Sequence, residues 1–190
     1  MQADAEGPRF AAYGFVTLTD PGASVEDAVS DYREAGSGLV EFASPVVGGP
    51  YEAFVAVKAD SFAAIRDFVT AGGRRPGVRV DWSMLVRPGA LGAPHRRFEE
   101  SLTTRFESLT RVRTRPGRVR AVLAEIDAAY GGKRSGEFDA RAAIVTGRDV
   151  DILVELAATS LEALQESIVN DLAIIDGIDS SDTVFAHVEG

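Results

Sequence analysis

Apolar and polar residues alternate along several short stretches of this chain, most clearly in VDILVEL at residues 150–156. Every second residue there is apolar, while Asp151 and Glu155 stand between them. A period of two predicts a β-strand with one face in a core. The period of the apolar residues then changes from that of a strand to that of a helix. A capping box, Thr159-x-x-Glu162, is followed by apolar residues at helical spacing, namely Leu161, Leu164, Ile168 and Leu172. The pattern predicts a strand that leads directly into an amphipathic helix.

The same two periods divide the first half of the chain into six elements. Strands are predicted at residues 10–18, 39–47, 51–59 and 78–86, where apolar residues dominate or alternate. Helices are predicted to begin near Ser24 and near Ser61, because each serine precedes apolar residues at helical spacing. The order strand, helix, strand, strand, helix, strand predicts a ferredoxin-like unit of the α+β class, with two helices on one face of four antiparallel strands.

A second copy of this order follows in the second half. Matching residues stand at growing offsets, since Pro21 and Pro116 are 95 positions apart and Ser61 and Ser160 are 99 apart. The extra residues GGKRSG at 131–136 account for the growth, because a glycine-rich loop tolerates insertions. The sequence therefore predicts tandem ferredoxin-like (βαββαβ) repeats.

These matches define the predicted organisation: a disordered N-terminus at 1–9, a first repeat at 10–87, a linker at 88–104 and a second repeat at 105–190. A two-layer unit leaves one sheet face without helices, and Phe54 and Leu153 make that face partly apolar. We therefore expect the two repeats to cover each other as in a dimeric α/β-barrel. One polypeptide would then form an internal pseudo-dimer that assembles further into homo-oligomers.

Charge and composition narrow the expected partners. The 190 residues carry a formal net charge of −9 at pH 7, which disfavours binding to nucleic acid or to anionic membranes. No cysteine is present, as is common in the cytoplasm. No apolar run approaches the length that spans a bilayer. We expect a cytoplasmic protein that binds neither nucleic acid nor membranes.

The second half carries three segments that together resemble a known family. They are Gly147-Arg148-Asp149-Val150-Asp151, SLEALQESIVNDLAIIDGI at 160–178 and SDTVFAHV at 181–188. The pattern resembles the ligand-binding (RAM) domain of Lrp/AsnC-type transcription regulators. The resemblance implies non-enzymatic sensing of a small-molecule metabolite, often an amino acid, at an interface between units. No helix-turn-helix precedes residue 10, so transcription regulation would require a separate regulator protein as partner.

The resemblance also implies a set of ligand-binding positions in the hairpin loops and on the last strands. In this sequence they are Gly49, Tyr51, Glu52, Ser83, Gly147, Asp149, Asp151 and Thr183. A simpler interpretation is that the glycines only permit the turns and that the aspartates only bond to their own backbone.

Motifs for catalysis are scarce. The two histidines, His95 and His187, stand apart, and neither metal-ligand spacings nor nucleophile motifs occur. The sequence therefore predicts no catalytic residues, no metal and no cofactor. The alternative function is an α/β-barrel enzyme of the oxygenase, isomerase or cyclase type, with a pocket between the paired sheets. Its first candidate residues would be Tyr13, Asp81, Trp82 and His187.

Five arginines are concentrated in RVRTRPGRVR at residues 111–120. Arg111, Arg113 and Arg115 alternate on a predicted strand, so their guanidinium groups could bind a carboxylate or a phosphate. The favoured interpretation is a solvated edge whose charge is balanced by nearby aspartates and glutamates.

Overall fold

The structure is a computed structural model that describes residues 10–36, 38–46, 49–72, 75–85, 105–131 and 138–188. The strands in these ranges are β1 (Phe10–Leu18), β2 (Val40–Pro45), β3 (Ala53–Ala59), β4 (Val78–Leu85), β5 (Arg105–Thr114), β6 (Phe138–Gly147), β7 (Val150–Ala158) and β8 (Ile178–Val188). The helices are α1 (Val25–Ala35), α2 (Phe62–Asp67), α3 (Val119–Gly131) and α4 (Leu161–Ser167). The predicted N-terminal segment 1–9 and linker 88–104 lie outside the described residues.

The predicted α+β class is confirmed, with small differences at the element ends. Serine hydroxyls cap α2 and α4: Ser61 Oγ accepts from the backbone N–H of Ala64 at 3.2 Å, and Ser160 Oγ from that of Ala163 at 3.1 Å. The second cap is therefore one residue later than the predicted capping box at Thr159. Each helix continues into a π-helical turn, at Phe68–Gly72 and Ile168–Leu172.

The eight strands of the described ranges form one antiparallel sheet in the order β2-β3-β1-β4-β6-β7-β5-β8. The halves of the chain join where β4 pairs with β6, with Ser83 opposite Gly147. Phe42 on β2 and Val184 on β8 belong to opposite ends of this order, yet they line one cavity. The sheet therefore curls so that the two halves face each other, as they do in a barrel.

Both halves have the same internal strand order, with their second, third, first and fourth strands side by side. Each half also contains an equivalent hydrogen bond at a matching position. The backbone N–H of Leu18, at the end of β1, donates to Glu52 Oε2 at 3.1 Å. The backbone N–H of Thr114, at the end of β5, donates to Asp151 Oδ2 at 2.8 Å. Each half is thus a ferredoxin-like unit whose first strand ends on a carboxylate from the start of its third.

Alternation along the strands separates the apolar side chains into three cores. Two helix-facing cores fill the space between sheet and helices, the first around Val55, Val57 and Ile65, the second around Ile152, Val154 and Leu164. Complete burial of one such aliphatic side chain contributes roughly 1.5–3 kcal/mol. The third core lies between the two halves on the face turned away from the helices, which we call the inner face. Among the helices of the described ranges, none combines the length and the apolar character needed to cross a membrane.

Candidate functional site

The inner face differs from an ordinary apolar core because charged and hydroxyl side chains are buried within it. Its apolar members include Phe15, Leu109 and Leu153, each at most 8% exposed. Arg111 and Glu155 are buried beside them, at 6% and 7% exposure. Charged side chains are rarely buried to this extent, because removing them from water is costly unless they are paired or bind a ligand.

Arg111 is placed by β5, where it lies opposite Leu153 of β7. Its Nη2 donates to the backbone carbonyl of Arg148 at 2.8 Å. Its Nη1 lies 4.0 Å from Asp81 Oδ2, which is a long ion pair to the other half of the molecule. Its Nε has no hydrogen-bond partner among the described residues. The guanidinium group is therefore only partly satisfied, although five N–H groups are available.

Two aromatic rings support one side of this guanidinium group. Arg111 Cζ lies 5.0 Å from the ring centroid of Phe15 and 5.3 Å from that of Tyr51. The two centroids are themselves 5.2 Å apart. These three distances form a nearly equilateral triangle, so both rings lie on the same side of the cation. Desolvation lowers the pKa of Arg111, whereas the negative charges of Asp182 and Asp149 act in the opposite direction.

The other arginines of the run are arranged differently. Arg113, Arg115 and Arg118 are 43–58% exposed. Each pairs with a carboxylate, for example Arg113 with Asp149 at 3.2 Å. The interpretation as a solvated, charge-balanced edge suits these three residues. It is wrong for Arg111, because the curled sheet places that position against the opposite half.

Tyr13 and Ser83 form a cross-strand pair on the inner face, since they lie opposite each other on β1 and β4. Tyr13 is 3% exposed and stacks on Phe54 with ring centroids 5.6 Å apart. Neither the Tyr13 hydroxyl nor Ser83 Oγ has a hydrogen-bond partner within the described parts of the chain. Burial raises the pKa of Tyr13 far above its usual range, and the charges of Glu155 and Glu41 add to the rise. The hydroxyl therefore remains protonated and can act as a donor.

A small cavity on the inner face is lined by Phe54, the stacking partner of Tyr13, but by neither Tyr13 nor Ser83. It has a volume of about 30 Å³, enough for one or two water molecules. Its lining comprises Phe42, Val46, Phe54, Glu107, Ser108, Leu109, Glu155 and Val184. The inner face is thus closely packed at this point.

Three of the predicted ligand-binding residues come together at the inner face. Tyr51 contacts the Arg111 guanidinium, and Ser83 lies opposite Gly147. Gly147 is required there because a Cβ at this position would lie 2.8 Å from Ser83 Oγ. Asp149, whose φ of +55° is in the left-handed region, pairs with the exposed Arg113. Ligand binding by these residues stays a prediction.

Three further predicted residues form hydrogen bonds within the fold. Glu52 and Asp151 accept the backbone N–H groups at the ends of β1 and β5. Thr183 shares a hydrogen bond of 2.8 Å with Thr110. Gly49 has a left-handed φ of +86° and lies against the backbone carbonyl of Thr183, where a Cβ would clash.

The residues named for the alternative enzyme divide between the two sheet faces. Tyr13 and Asp81 lie on the inner face, since Asp81 is opposite Phe15. Trp82 lies on the helix-facing side, where its ring contacts Phe68 at 5.9 Å, so its predicted place in an inter-sheet pocket is wrong. The side chain of His187 and all of His95 lie outside the described residues. Sequence reasoning missed the burial of Arg111 and Glu155, although both occupy inward positions of alternating strands.

Solved structures similar to this chain share its fold along nearly its whole length. A chlorite dismutase variant from Candidatus Nitrospira defluvii is 11% identical, with 94% of this chain and 90% of that chain covered and a TM-score of 0.58. A heme-binding protein from Thermus thermophilus is 12% identical, with 95% and 91% covered and a TM-score of 0.53. No protein-family model matches the sequence, and no similar curated protein is found.

These similarities correct the resemblance to the Lrp/AsnC RAM domain, which is wrong. The matching structures include chlorite dismutase and a heme-binding protein, so the predicted non-enzymatic sensing module and the role in transcription regulation are wrong with it. The physical reason is that the motifs which suggested the family serve the fold. Asp151 anchors β5, and Ser160 caps α4. Such contacts stabilise the fold whatever the chain binds, and a fold does not by itself imply a function.

The described residues do not fit a haem. Haem iron is held in proteins by histidine, cysteine, methionine or tyrosine side chains, and no histidine or cysteine is among the described side chains. Met84 packs in the first helix-facing core, and the raised pKa of Tyr13 disfavours a phenolate ligand. The cavity of about 30 Å³ on the inner face is also far too small for a haem. No step proposed below for the described residues therefore involves a haem.

Proposed function

We propose that this chain is an α/β-barrel enzyme of the oxygenase, isomerase or cyclase type, acting on a small molecule at the inner face. One observation carries the proposal. The Tyr13 hydroxyl, Ser83 Oγ and Arg111 Nε are all buried on this face without hydrogen-bond partners within the described residues. Each unpartnered buried polar group costs about 1–3 kcal/mol, so a substrate that engaged them would recover this energy.

Tyr13 is the proposed donor to an oxyanion that develops on the substrate. Its raised pKa keeps the proton on the hydroxyl, and its burial strengthens a hydrogen bond to the developing charge. Asp81 is the proposed base that removes a proton from the substrate. Its carboxylate is diagonal to Tyr13 across the β1–β4 pair, because Asp81 lies opposite Phe15 and Ser83 opposite Tyr13.

We also propose that the halves are two copies of one ferredoxin-like unit, with repeats at 10–87 and 105–190 joined by a linker at 88–104. The common strand order, the serine caps and the carboxylate contacts at the ends of β1 and β5 support this proposal. The copies have diverged at the inner face, where the first half supplies Tyr13 and Asp81 and the second supplies Arg111. Each half thus provides part of one shared site, and association of the pseudo-dimer into homo-oligomers would require no change to it.

Deuterium exchange tests the proposed proton transfer. The chain is incubated in D₂O with a panel of 2-oxo acids, 1,3-diketones and phenols, and incorporation at the acidic carbon is followed by NMR. We expect catalysed exchange in at least one compound, abolished in Tyr13→Phe and Asp81→Asn and retained in Arg113→Gln, a variant of an exposed arginine. No catalysed exchange with any compound, or full exchange in both site variants, would contradict the proposal.

A further inference from the structure

We infer that Arg111 forms a subsite for a small monocarboxylate on the inner face, so that the substrate carries a carboxylate group. This inference rests on the proposed function, because it names the substrate class of the same site. Its starting point is a buried cation that, among the described residues, donates a hydrogen bond to the carbonyl of Arg148 and leaves its Nε–H unused. Asp81, at 4.0 Å, is too far away to accept a hydrogen bond.

The donors that remain define what could bind. Arg111 Nε has no partner among the described residues, and neither does Ser83 Oγ. The two side chains share a neighbourhood, since Arg111 bonds to the carbonyl of Arg148 and the preceding residue, Gly147, lies opposite Ser83. A planar anion with two oxygens could accept from both groups, and guanidinium groups favour this kind of recognition.

The aromatic contacts lie on one side of the guanidinium group, so a ligand would have to bind on the other side. The rings of Phe15 and Tyr51 fix the orientation of the cation, which is only 6% exposed. Such contacts hold a desolvated cation in place and exclude water from it. Tyr51 is only half-buried and belongs to the hairpin between β2 and β3.

Charge around the site favours a monoanion over a phosphate. The carboxylates of Asp81, Asp149 and Asp182 all act on Arg111, through the long ion pair or through their electrostatic influence. A dianion placed among these charges would be repelled more strongly than a carboxylate, and desolvation would cost it more. The substrate class inferred here is therefore a small organic acid with one carboxylate at its binding end.

The test uses the full chain, with sodium acetate, sodium benzoate and inorganic phosphate as probes. Binding is followed by ¹⁵N NMR at the Arg111 Nε–H in the wild type and by isothermal titration calorimetry in every variant. We expect this resonance to shift on titration with a carboxylate but not with phosphate. Arg111→Lys should weaken carboxylate binding about tenfold or more, because lysine keeps the charge but loses the fork that makes charge-assisted hydrogen bonds. Arg113→Lys, at an exposed position on the same strand, is the matched control and should bind as the wild type does.

Two further variants, Ser83→Ala and Tyr13→Phe, complete the test. If Arg111→Lys fails to fold, as judged by circular dichroism, Ser83→Ala replaces it and should weaken carboxylate binding several-fold. An unmoved Arg111 resonance with both carboxylates, equal binding of phosphate, or wild-type affinity in the folded site variant would overturn the inference. Tyr13→Phe separates the two proposals. Carboxylate binding that persists in this variant while exchange is lost supports both, whereas binding without any wild-type exchange contradicts only the enzyme.

Discussion

The two faces of the sheet both bury apolar side chains but handle polar groups differently. On the helix-facing side, the buried hydroxyl of Tyr130 donates to the backbone carbonyl of Ser167 at 3.2 Å. Thr110 and Thr183 likewise satisfy each other, whereas Ser108 Oγ, which pairs across the strands with Leu156 of this side, is an exception without a partner in the described ranges. On the inner face, the hydroxyls of Tyr13 and Ser83 are buried without such partners in the described ranges.

The difference indicates that one face of the sheet serves stability and the other serves function. The helix-facing cores form inside each half and stabilise the ferredoxin-like units. The inner face forms only when the halves meet, and it contains polar groups that a structural interface would pair or replace with apolar ones. We therefore expect substitutions on the two faces to have different consequences for stability and for function.

The largest expected effect is the loss of folding in Ile152→Asp. Ile152 is fully buried in the second helix-facing core, where a carboxylate would have no cation beside it. An uncompensated buried charge costs several kcal/mol, which is comparable to the total stability of a domain. Circular dichroism and urea denaturation should show no cooperative unfolding transition.

An aspartate at the next residue, Leu153, tests whether the two faces of the sheet differ. Leu153 is equally buried but lies on the inner face opposite Arg111, so Leu153→Asp would place its carboxylate beside a cation. We expect Leu153→Asp to be destabilised but still folded. Ile152→Val is the control for side-chain size and should lose only about 0.5–1.5 kcal/mol. Equal damage from both aspartates would mean that the two faces do not differ in this way.

The second largest expected effect is a loss of stability at alkaline pH, which is caused by Tyr13. Unfolded tyrosine loses its proton near pH 10, whereas burial raises the pKa of Tyr13 in the folded chain. Above about pH 10 the folded state therefore binds more protons than the unfolded state. Tyr13 then lowers the free energy of unfolding by up to about 1.4 kcal/mol for each further pH unit.

Urea denaturation between pH 9 and 12 measures this slope in the wild type and in Tyr13→Phe. The pKa values of Tyr32 and Tyr130 are also raised by burial, and their contribution remains in both proteins. The difference between the two slopes therefore isolates Tyr13. Parallel pH profiles would show that its hydroxyl ionises as readily in the folded chain as in the unfolded one.

The sequence predicted the fold better than the site, for a physical reason. Strand alternation and serine caps depend on residues that are close in the sequence. The roles of residues such as Ile152 and Ser61 can therefore be predicted from a few neighbouring residues. The surroundings of Arg111 depend on Phe15 and Asp81, which belong to the other half of the chain. Alternation put Arg111 on one face of its strand with Arg113 and Arg115, and only the curl of the sheet shows that this position is buried. The resemblance to the Lrp/AsnC family was misleading because Asp151 and Glu52 accept hydrogen bonds from backbone N–H groups at the ends of strands.

The smallest effect compares two buried tyrosines directly. Tyr130→Phe removes a hydroxyl that donates to Ser167 and leaves that carbonyl unsatisfied, so the free energy of unfolding should fall by about 0.5–1.5 kcal/mol at pH 7. Tyr13→Phe removes a hydroxyl without a partner in the described ranges, so stability should be unchanged or slightly higher. The two rings are equally buried, at 3% exposure each, which makes each variant the control for the other. A loss of more than about 0.5 kcal/mol in Tyr13→Phe would reveal a structural hydrogen bond at its hydroxyl. The hydroxyl would then be held by the fold rather than kept for a substrate, and the proposed donor role would fail.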